Sequence, residues 1–162
     1  MVKLKTESVE ETQNLGERIG KNLQPGDVIC LVGELGSGKT ALAQGIARGL
    51  GVKDYITSPT FNIIKEYMGR YPLYHMDVYR LGGVHEMDDL GYEEYFYSNG
   101  ITLIEWADRI QEILPEEYLL IEISRNEMTN PKTRFFKFIP KGQRYKQIME
   151  CLLKNDALQM RS

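Results

Sequence analysis

GELGSGKT, residues Gly33 to Thr40, is the most informative segment of the chain. It matches the pattern G-x-x-x-x-G-K-[ST], in which a glycine-rich loop wraps a phosphate group with its backbone N–H groups. The run Asp27 to Val32 before it is short and apolar, which is typical of a buried strand. After it, Thr40 to Leu50 carries apolar residues at helical spacing. Strand, glycine-rich loop and helix in this order predict a phosphate-binding loop, the P-loop or Walker A motif, at a helix N-terminus.

Four residues of this loop have a predicted role that follows from their chemistry. Gly36 and Gly38 let the chain bend around an anion without a clash at Cβ. Lys39 is expected to reach the β and γ phosphates of a nucleotide, and the Thr40 hydroxyl is expected to ligate Mg²⁺. Without a nucleotide, the lysine is expected to face solvent. We therefore predict a site for a nucleoside triphosphate, with ATP and Mg²⁺ as the cofactors.

Hydrolysis also needs a carboxylate near the metal and a group that orients water. Asp77 and Glu105 each end an apolar strand, where they would lie beside the P-loop; a surface salt bridge is the alternative for both. Trp106, the single tryptophan, would line the nucleotide pocket or pack in the core or an interface. His75 and His85 lack metal-ligand spacing, so structural or surface roles are expected for both.

The remaining periodicities predict a single α/β domain over residues 1–162, with a mixed parallel and antiparallel sheet flanked by helices. Ser8 begins a capping box for an N-terminal helix that ends before Pro25. The other expected elements are a hairpin of strands 61–68 and 73–78, a helical stretch 86–96, a strand 101–106 and a short helix to 114, strands 118–123 and 134–139, and a helix over the last twenty residues.

Length and composition restrict the class of protein. The chain has 162 residues, 42% hydrophobic and 27% charged, which is ordinary for one globular domain. No apolar run is long enough to cross a bilayer, and the N-terminus lacks the apolar region of a signal peptide, so a cytoplasmic protein without membrane contact is expected. Cys30 and Cys151 lie in apolar contexts without metal or redox spacing, which predicts two buried thiols.

Charge is unevenly distributed along the chain. From His85 to Glu122 there are eleven acidic residues and one basic residue, Arg109. From Arg125 to Lys146 there are seven basic residues and one acidic residue, Glu127. This basic segment is either a solvated surface or a docking surface for RNA or an acidic partner.

Four segments in order and at fitting spacing carry a resemblance to a known family: GELGSGKT, SPTFNIIKEY, HMDVYRL and IEW. Together they resemble the TsaE family, also called YjeE or YdiB, over nearly the whole chain. The resemblance implies a small bacterial P-loop ATPase required for threonylcarbamoylation of the adenosine beside the anticodon in ANN-decoding tRNAs. It also implies TsaB and TsaD as partner proteins, TsaD holding the transferase site, with tRNA contact through the complex.

The same resemblance assigns roles to individual residues. It implies Thr40 and Glu105 as magnesium sites and Asp77 as a metal-binding or water-positioning acid. Thr57, Ser58 and Thr60 would form a switch-like loop. The residues implied for nucleotide contact are Glu34, Leu35, Gly36, Ser37, Gly38, Lys39, Thr40 and Ala41.

Three other classes of protein are compatible with a P-loop. A small-molecule kinase would need an acceptor pocket and an arginine-bearing lid, and no lid insertion occurs in the sequence. A regulatory GTPase would carry an N-K-x-D motif, which is absent. An assembly factor that uses the nucleotide only as a conformational switch differs from an ATPase in turnover alone. Arg80 is the nearest cation in sequence that could act on the nucleotide in cis; a salt bridge to the acidic stretch that follows it is the alternative.

Overall fold

A computed structural model describes residues 2–34, 37–57, 64–78, 91–125, 130–154 and 159–160. The strands are β1 (Val2–Thr6), β2 (Val28–Val32), β3 (Ile64–Met68), β4 (Pro72–Asp77), β5 (Ile101–Glu105), β6 (Tyr118–Ser124), β7 (Arg134–Lys141) and β8 (Gln159–Met160). The helices are α1 (Val9–Lys21), α2 (Lys39–Gly49), α3 (Tyr92–Phe96), a 3₁₀ helix (Ala107–Ile113) and α4 (Gln143–Leu153).

All the described strands belong to one sheet with the order β3-β4-β5-β2-β6-β7-β1-β8. The pairs β4–β5, β5–β2 and β2–β6 are parallel, whereas β3–β4, β6–β7, β7–β1 and β1–β8 are antiparallel. The predicted α/β class with a mixed sheet is therefore confirmed. The predicted hairpin is also confirmed, because β3 and β4 pair antiparallel.

Strand β2 is buried on both faces, which explains its uninterrupted apolar sequence VICLV. Ile29 and Leu31 point into a core formed with α1, α2 and α4. Val28 and Cys30 point into a second core on the opposite face, against α3 and the 3₁₀ helix. Helices on both faces thus hold the central strand in place, and with it the start of the glycine-rich loop.

Helix α1 begins as the sequence predicts. The Ser8 side chain accepts a hydrogen bond of 3.0 Å from the backbone N–H of Glu11, which satisfies one of the N–H groups left unpaired at a helix start. Its side chains Leu15 and Ile19 are buried against the sheet. The helix is a support for α2, as the glycines between them show.

Helices α1 and α2 approach so closely that their contact surface is made of glycine. A Cβ added to Gly45 would lie 2.1 Å from the carbonyl oxygen of Gln13, and one added to Gly49 would lie 2.2 Å from that of Glu17. On α1, a Cβ on Gly16 would lie 2.4 Å from the carbonyl oxygen of Leu42, and one on Gly20 would lie 2.2 Å from that of Ile46. Any side chain at these positions would push the helices apart. The four-glycine contact fixes the position of α2, whose first turn carries Lys39 and Thr40.

The N-terminal and C-terminal ends of the chain differ from the sequence-based expectation. Strand β1 was not predicted, although it pairs with β7 along its whole length. The helix expected over the last twenty residues ends at Leu153, and Gln159–Met160 pairs with β1 as a strand instead. Short strands of this kind are formed by pairing with distant segments, so the local sequence pattern does not reveal them.

The expected pair of buried thiols is half wrong. Cys30 is fully buried on β2, but Cys151 is exposed on α4. The apolar residues near Cys151 belong to the inward face of an amphipathic helix: Ile148 and Leu152 are buried, and the cysteine lies on the other side. Proximity in sequence to apolar residues therefore did not predict burial on a helix.

Two cations of the basic segment from Arg125 to Lys146 lie near opposite ends of β2. Arg144 forms a 2.9 Å ion pair with Asp27, at the N-terminal end of β2. Arg134 lies against Gly38, beyond the other end of that strand. Arg144 and Arg134 thus lie at opposite ends of the sheet.

In the described part of the chain, no helix is long and apolar enough to span a membrane.

Candidate functional site

The glycine-rich loop leaves the carboxyl end of β2, the central parallel strand, and leads into α2. Gly38 is the N-cap of α2 with a φ of 110°, a left-handed conformation that residues with a Cβ rarely adopt. Its carbonyl accepts a 3.0 Å hydrogen bond from the N–H of Leu42. The N-terminus of α2 therefore opens toward the loop, the arrangement by which helix N–H groups bind phosphate. Leu35 and Gly36 fall outside the described residues.

Lys39 is buried, contrary to the expectation of a solvent-facing side chain. Only 6% of the residue is exposed. Its Nζ donates hydrogen bonds of 2.5 Å to the carbonyl oxygen of Gly33 and 2.9 Å to that of Glu34. A buried ammonium group requires such partners, because an unpaired buried charge is strongly unfavourable. The loop carbonyls provide them, and they hold the cation inside the loop where a phosphate would bind.

Trp106 covers the same ammonium group. The Lys39 Nζ lies 4.0 Å from the centre of the indole ring, within the range of a cation–π contact. Trp106 has a φ of 66° and is the only residue other than glycine with a positive φ in the described part of the chain. The backbone N–H of Trp106 donates a 2.9 Å hydrogen bond to the carbonyl of Leu31. This turn directs the tryptophan to the P-loop at the point where β5 ends.

The predicted acids Asp77 and Glu105 lie side by side at the carboxyl ends of β4 and β5. Asp77 pairs in register with Glu105, and Glu105 pairs with Leu31 of β2. Because side chains alternate along a strand, Asp77 shares a sheet face with Leu73, and Glu105 shares it with Leu103. That face packs against α2. Both carboxylates therefore lie on the side of the sheet where the P-loop helix begins.

Glu105 is not a surface residue. It is 2% exposed, and its Oε2 lies 2.5 Å from Nε2 of His75. His75 itself has no exposed surface. The surface salt bridge considered for Glu105 is therefore excluded, and of the two roles expected for His75 the surface role is excluded. Asp77 is half-buried.

The carboxylates of Asp77 and Glu105 suit a cation that has only some of its ligands from the protein. Among the described residues, no group of three or more His, Cys, Asp and Glu side chains lies close enough to hold a metal ion. Mg²⁺ is usually bound by one or two carboxylates together with substrate phosphates and water. Asp77, Glu105 and the Thr40 hydroxyl fit this pattern.

A cavity of about 660 Å³ opens beside the loop. Gly33, Glu34 and Ser37 of the loop line it, together with Lys3 of β1 and Phe135 and Lys137 of β7. The Ser37 hydroxyl is buried and has no hydrogen-bond partner among the described residues, which is uncommon for a buried polar group. Cavities of this volume are typical of small-ligand sites.

Sequence reasoning overlooked two residues at this site. Arg134 was assigned to the basic segment, yet its Cγ, Cδ and Nε lie 3.6 Å from the position of a Cβ on Gly38. His75 was assigned no contact with the acids. Neither contact has a local sequence signal, except that His75 lies on the same strand face as Asp77, two residues earlier.

Residues 6–136 match the family model described as "Threonylcarbamoyl adenosine biosynthesis protein TsaE". The chain belongs to the TsaE family. The matched region runs from the end of β1 into β7 and contains the P-loop, both acids and Trp106.

Individual TsaE proteins are similar over most of their length. The tRNA threonylcarbamoyladenosine biosynthesis protein TsaE of Bacillus subtilis is 44% identical over 156 residues, which cover 96% of both chains. That of Treponema pallidum is 42% identical over 116 residues, 72% of this chain and 86% of its own. The crystal structure of Bacillus subtilis YdiB superimposes with a TM-score of 0.78 at 41% identity, covering 96% of this chain and 98% of that one.

Four further residues with predicted roles fall outside the described part of the chain. Ser58 and Thr60 belong to the switch-like loop that the TsaE resemblance implies, whereas Arg80 and His85 were singled out from the sequence pattern alone. The predicted helical stretch 86–96 is described only from Gly91 onward, where Tyr92–Phe96 is helical. The roles of Ser58, Thr60 and Arg80 stay predictions.

Proposed function

We propose that this member of the TsaE family binds ATP with Mg²⁺ and hydrolyses it in support of threonylcarbamoyladenosine formation in tRNA. One observation carries the proposal: the buried Lys39 of a P-loop and the carboxylates of Asp77 and Glu105 lie at the same edge of the sheet, on one face. A phosphate-binding lysine and metal-binding acids at adjacent strand ends are the arrangement that phosphoryl transfer requires.

Each residue has a distinct part in this proposal. Lys39 would exchange its two carbonyl contacts for contacts with the β and γ phosphates, stabilising charge that develops in the transition state. The Thr40 hydroxyl, Glu105 and Asp77 would hold Mg²⁺, with Asp77 also able to orient the attacking water. Mg²⁺, when bound, supplies positive charge that offsets the negative charge of the phosphates. The cavity lined by Ser37 and Phe135 leaves room beside the loop for the rest of the nucleotide.

We further propose that turnover by the isolated chain is slow and is raised by TsaB and TsaD, with tRNA contacted through that complex. Fast P-loop hydrolysis usually needs an additional cation at the transition state, which contributes about 10³ to 10⁵ in rate. A partner would provide this cation or position one from this chain. The acidic segment between His85 and Glu122 offers a surface for a basic partner. Its exposed carboxylates include Glu93, Glu94 and Glu112.

The test of hydrolysis is steady-state phosphate release from Mg-ATP by the wild type, Lys39→Ala and the exposed control Lys53→Ala. Loss of the P-loop cation should lower the rate at least about 100-fold, in line with the removal of one transition-state contact. Lys53→Ala should match the wild type. A Lys39→Ala rate within twofold of wild type would refute the proposal.

The test of partner dependence repeats this assay with TsaB and TsaD at low and high ionic strength. We expect activation by the partners that weakens as salt screens the acidic surface. Rapid turnover by the lone chain, unchanged by partners, would support a free-standing ATPase or a kinase. Nucleotide binding without turnover under every condition would support the assembly switch.

A further inference from the structure

His75 and Glu105 form a buried contact between neighbouring strands. Nε2 of His75 lies 2.5 Å from Oε2 of Glu105. The exposed fraction is 0% for His75 and 2% for Glu105. His75 lies in register with Leu103, so it reaches Glu105 diagonally, from one strand to the next. Both side chains project from the sheet face that packs against α2.

Among the described residues, the imidazole of His75 has no second hydrogen-bond partner. Its Nδ1 is buried and makes no hydrogen bond within this part of the chain, whereas buried polar atoms are nearly always paired. A carboxylate only accepts hydrogen bonds, so Nε2 carries the hydrogen and donates it to Glu105. The polar chemistry of this buried histidine is therefore directed entirely at one carboxylate oxygen. Packing alone would be served as well by an apolar side chain.

Glu105 gains a fixed orientation from this contact. A glutamate side chain has several rotatable bonds, and the ordering of such side chains has an entropic cost. With Oε2 engaged by His75, the orientation of the other oxygen, Oε1, is set before a ligand binds. Hydrogen bonds from outer partners orient metal-ligating carboxylates in this way, and their loss typically lowers metal affinity about 10- to 100-fold.

We propose that His75 is a positioning residue that holds the Glu105 carboxylate in the orientation needed at the magnesium edge of the nucleotide site. The inference rests on the proposed binding of Mg²⁺ and nucleotide. It assigns His75 no contact with the nucleotide itself. Removal of the histidine should therefore weaken the contribution of Mg²⁺ while leaving metal-free nucleotide binding intact.

The chain offers a matched pair of variants at this position. In His75→Gln the side-chain amide extends to the position of the imidazole Nε2 and keeps a donor for Glu105. In His75→Asn the same amide is one methylene shorter and does not reach the carboxylate. His75→Leu fills the space without any donor. Comparison of Gln with Asn thus separates the hydrogen bond from the presence of a polar group.

The principal measurement is ADP affinity by isothermal titration calorimetry, with and without Mg²⁺. The wild type and His75→Gln should bind ADP more tightly in the presence of Mg²⁺. His75→Asn and His75→Leu should lose about 10-fold or more of that enhancement, with metal-free ADP affinity within about twofold of wild type. In hydrolysis assays over a range of ATP concentrations, the same two variants should lower kcat more than they raise KM.

A double-mutant cycle tests whether His75 acts through Glu105. In a Glu105→Gln background, His75→Leu should have no further effect on the Mg²⁺ enhancement. The same background removes the buried carboxylate that the Leu substitution would leave unpaired. The double variant should therefore be more stable than His75→Leu alone, and the comparison of His75→Asn with His75→Gln carries the test if either Leu variant does not fold.

Three outcomes would overturn the inference. The first is a full Mg²⁺ enhancement in His75→Asn or His75→Leu. The second is an equal loss of ADP affinity with and without Mg²⁺, which would indicate a general structural role. The third is an undiminished effect of His75→Leu in the Glu105→Gln background. If instead the wild type binds ADP no more tightly with Mg²⁺, the proposed function fails, whatever the role of His75.

Discussion

The ammonium group of Lys39 is held by the loop that it is expected to serve. Carbonyl oxygens of Gly33 and Glu34 and the ring of Trp106 surround it. A phosphate that enters the loop offers a charged acceptor in place of neutral carbonyls, and hydrogen bonds to charged groups are the stronger ones. The buried cation is thus preorganised near its ligand position, and little side-chain ordering is left for the binding step.

The two acids should differ from surface carboxylates in their effect on hydrolysis. Asp77→Asn and Glu105→Gln each remove a charge that would compensate Mg²⁺ while keeping the side-chain shape, so each should lower kcat at least about 10-fold. Circular dichroism should show an unchanged fold. The exposed control Glu10→Gln should retain wild-type turnover. Normal turnover of one acid variant in the presence of partners would remove that residue from the site.

The two cysteines should differ sharply in reactivity. Burial raises the pKa of the Cys30 thiol far above its ordinary range, which suppresses the reactive thiolate, and Cys151 is exposed. An aromatic disulfide reagent should therefore modify one thiol in the native protein and two after denaturation. Cys151→Ser should abolish the native reaction, whereas Cys30→Ala should not. Two rapidly reacting native thiols would contradict the burial of Cys30.

At the scale of elements, the α1–α2 contact determines where the phosphate loop can lie. Four glycines bring the two helix backbones together: Gly16 and Gly20 on α1, Gly45 and Gly49 on α2. The exposed rim of this contact carries the pair Arg48–Glu17, with 3.0 Å between Nε and Oε2. Since exposed ion pairs contribute little, the close backbone packing is the main determinant of the position of α2.

Substitution of Gly45 by alanine should therefore destabilise the protein. Alanine favours helix formation by about 1 kcal/mol over glycine, but its Cβ would meet the Gln13 carbonyl at 2.1 Å, and backbone does not move aside readily. We expect a net loss of about 1 to 3 kcal/mol, measured by urea denaturation. The exposed α1 variant Glu10→Ala should stay within about 0.5 kcal/mol of wild type. An unchanged or raised midpoint for Gly45→Ala would contradict this packing.

On the scale of the whole molecule, α4 connects the C-terminal part of the chain to the central strand. The Tyr145 hydroxyl accepts a 2.9 Å hydrogen bond from the N–H of Val28 at the start of β2. Arg144 beside it pairs with Asp27 and donates a 2.7 Å hydrogen bond to the carbonyl of Asn22. These contacts fix the end of β2 opposite the P-loop. The central strand is thus held at one end by α4, while the other end leads into the loop.

The burial of Tyr145 predicts a loss of stability at alkaline pH. Burial, chiefly, raises the pKa of Tyr145 from 10.0 to about 12, so the folded state keeps a proton that the unfolded state releases. Its contribution is complete below pH 10 and is lost as the pH rises through 12, by about 3 kcal/mol in total. Urea denaturation between pH 8 and 12 should show a weaker decline for Tyr145→Phe. The exposed control Tyr55→Phe should follow the wild-type curve, and identical curves for all three would contradict the prediction.

The sequence by itself determined the features that depend on short segments. The strand before the glycine-rich loop, the helix after it, the Ser8 cap and the acids at the ends of β4 and β5 all follow from local periodicity and motif spacing. A helix repeat or a phosphate loop is encoded within about ten residues, so a linear pattern is enough to find it. The mixed α/β class followed from the succession of these elements.

Only the tertiary structure decided the contacts between distant segments. Pairing with β7 makes β1 a strand, and packing of α4 leaves Cys151 exposed while Cys30 is buried. The burial of Lys39 beneath Trp106 and the hydrogen bond from His75 to Glu105 likewise join separate elements. Such contacts depend on the register and crossing of elements that are far apart in sequence. Their stabilisation comes from burial and hydrogen bonding in three dimensions, which no local repeat records.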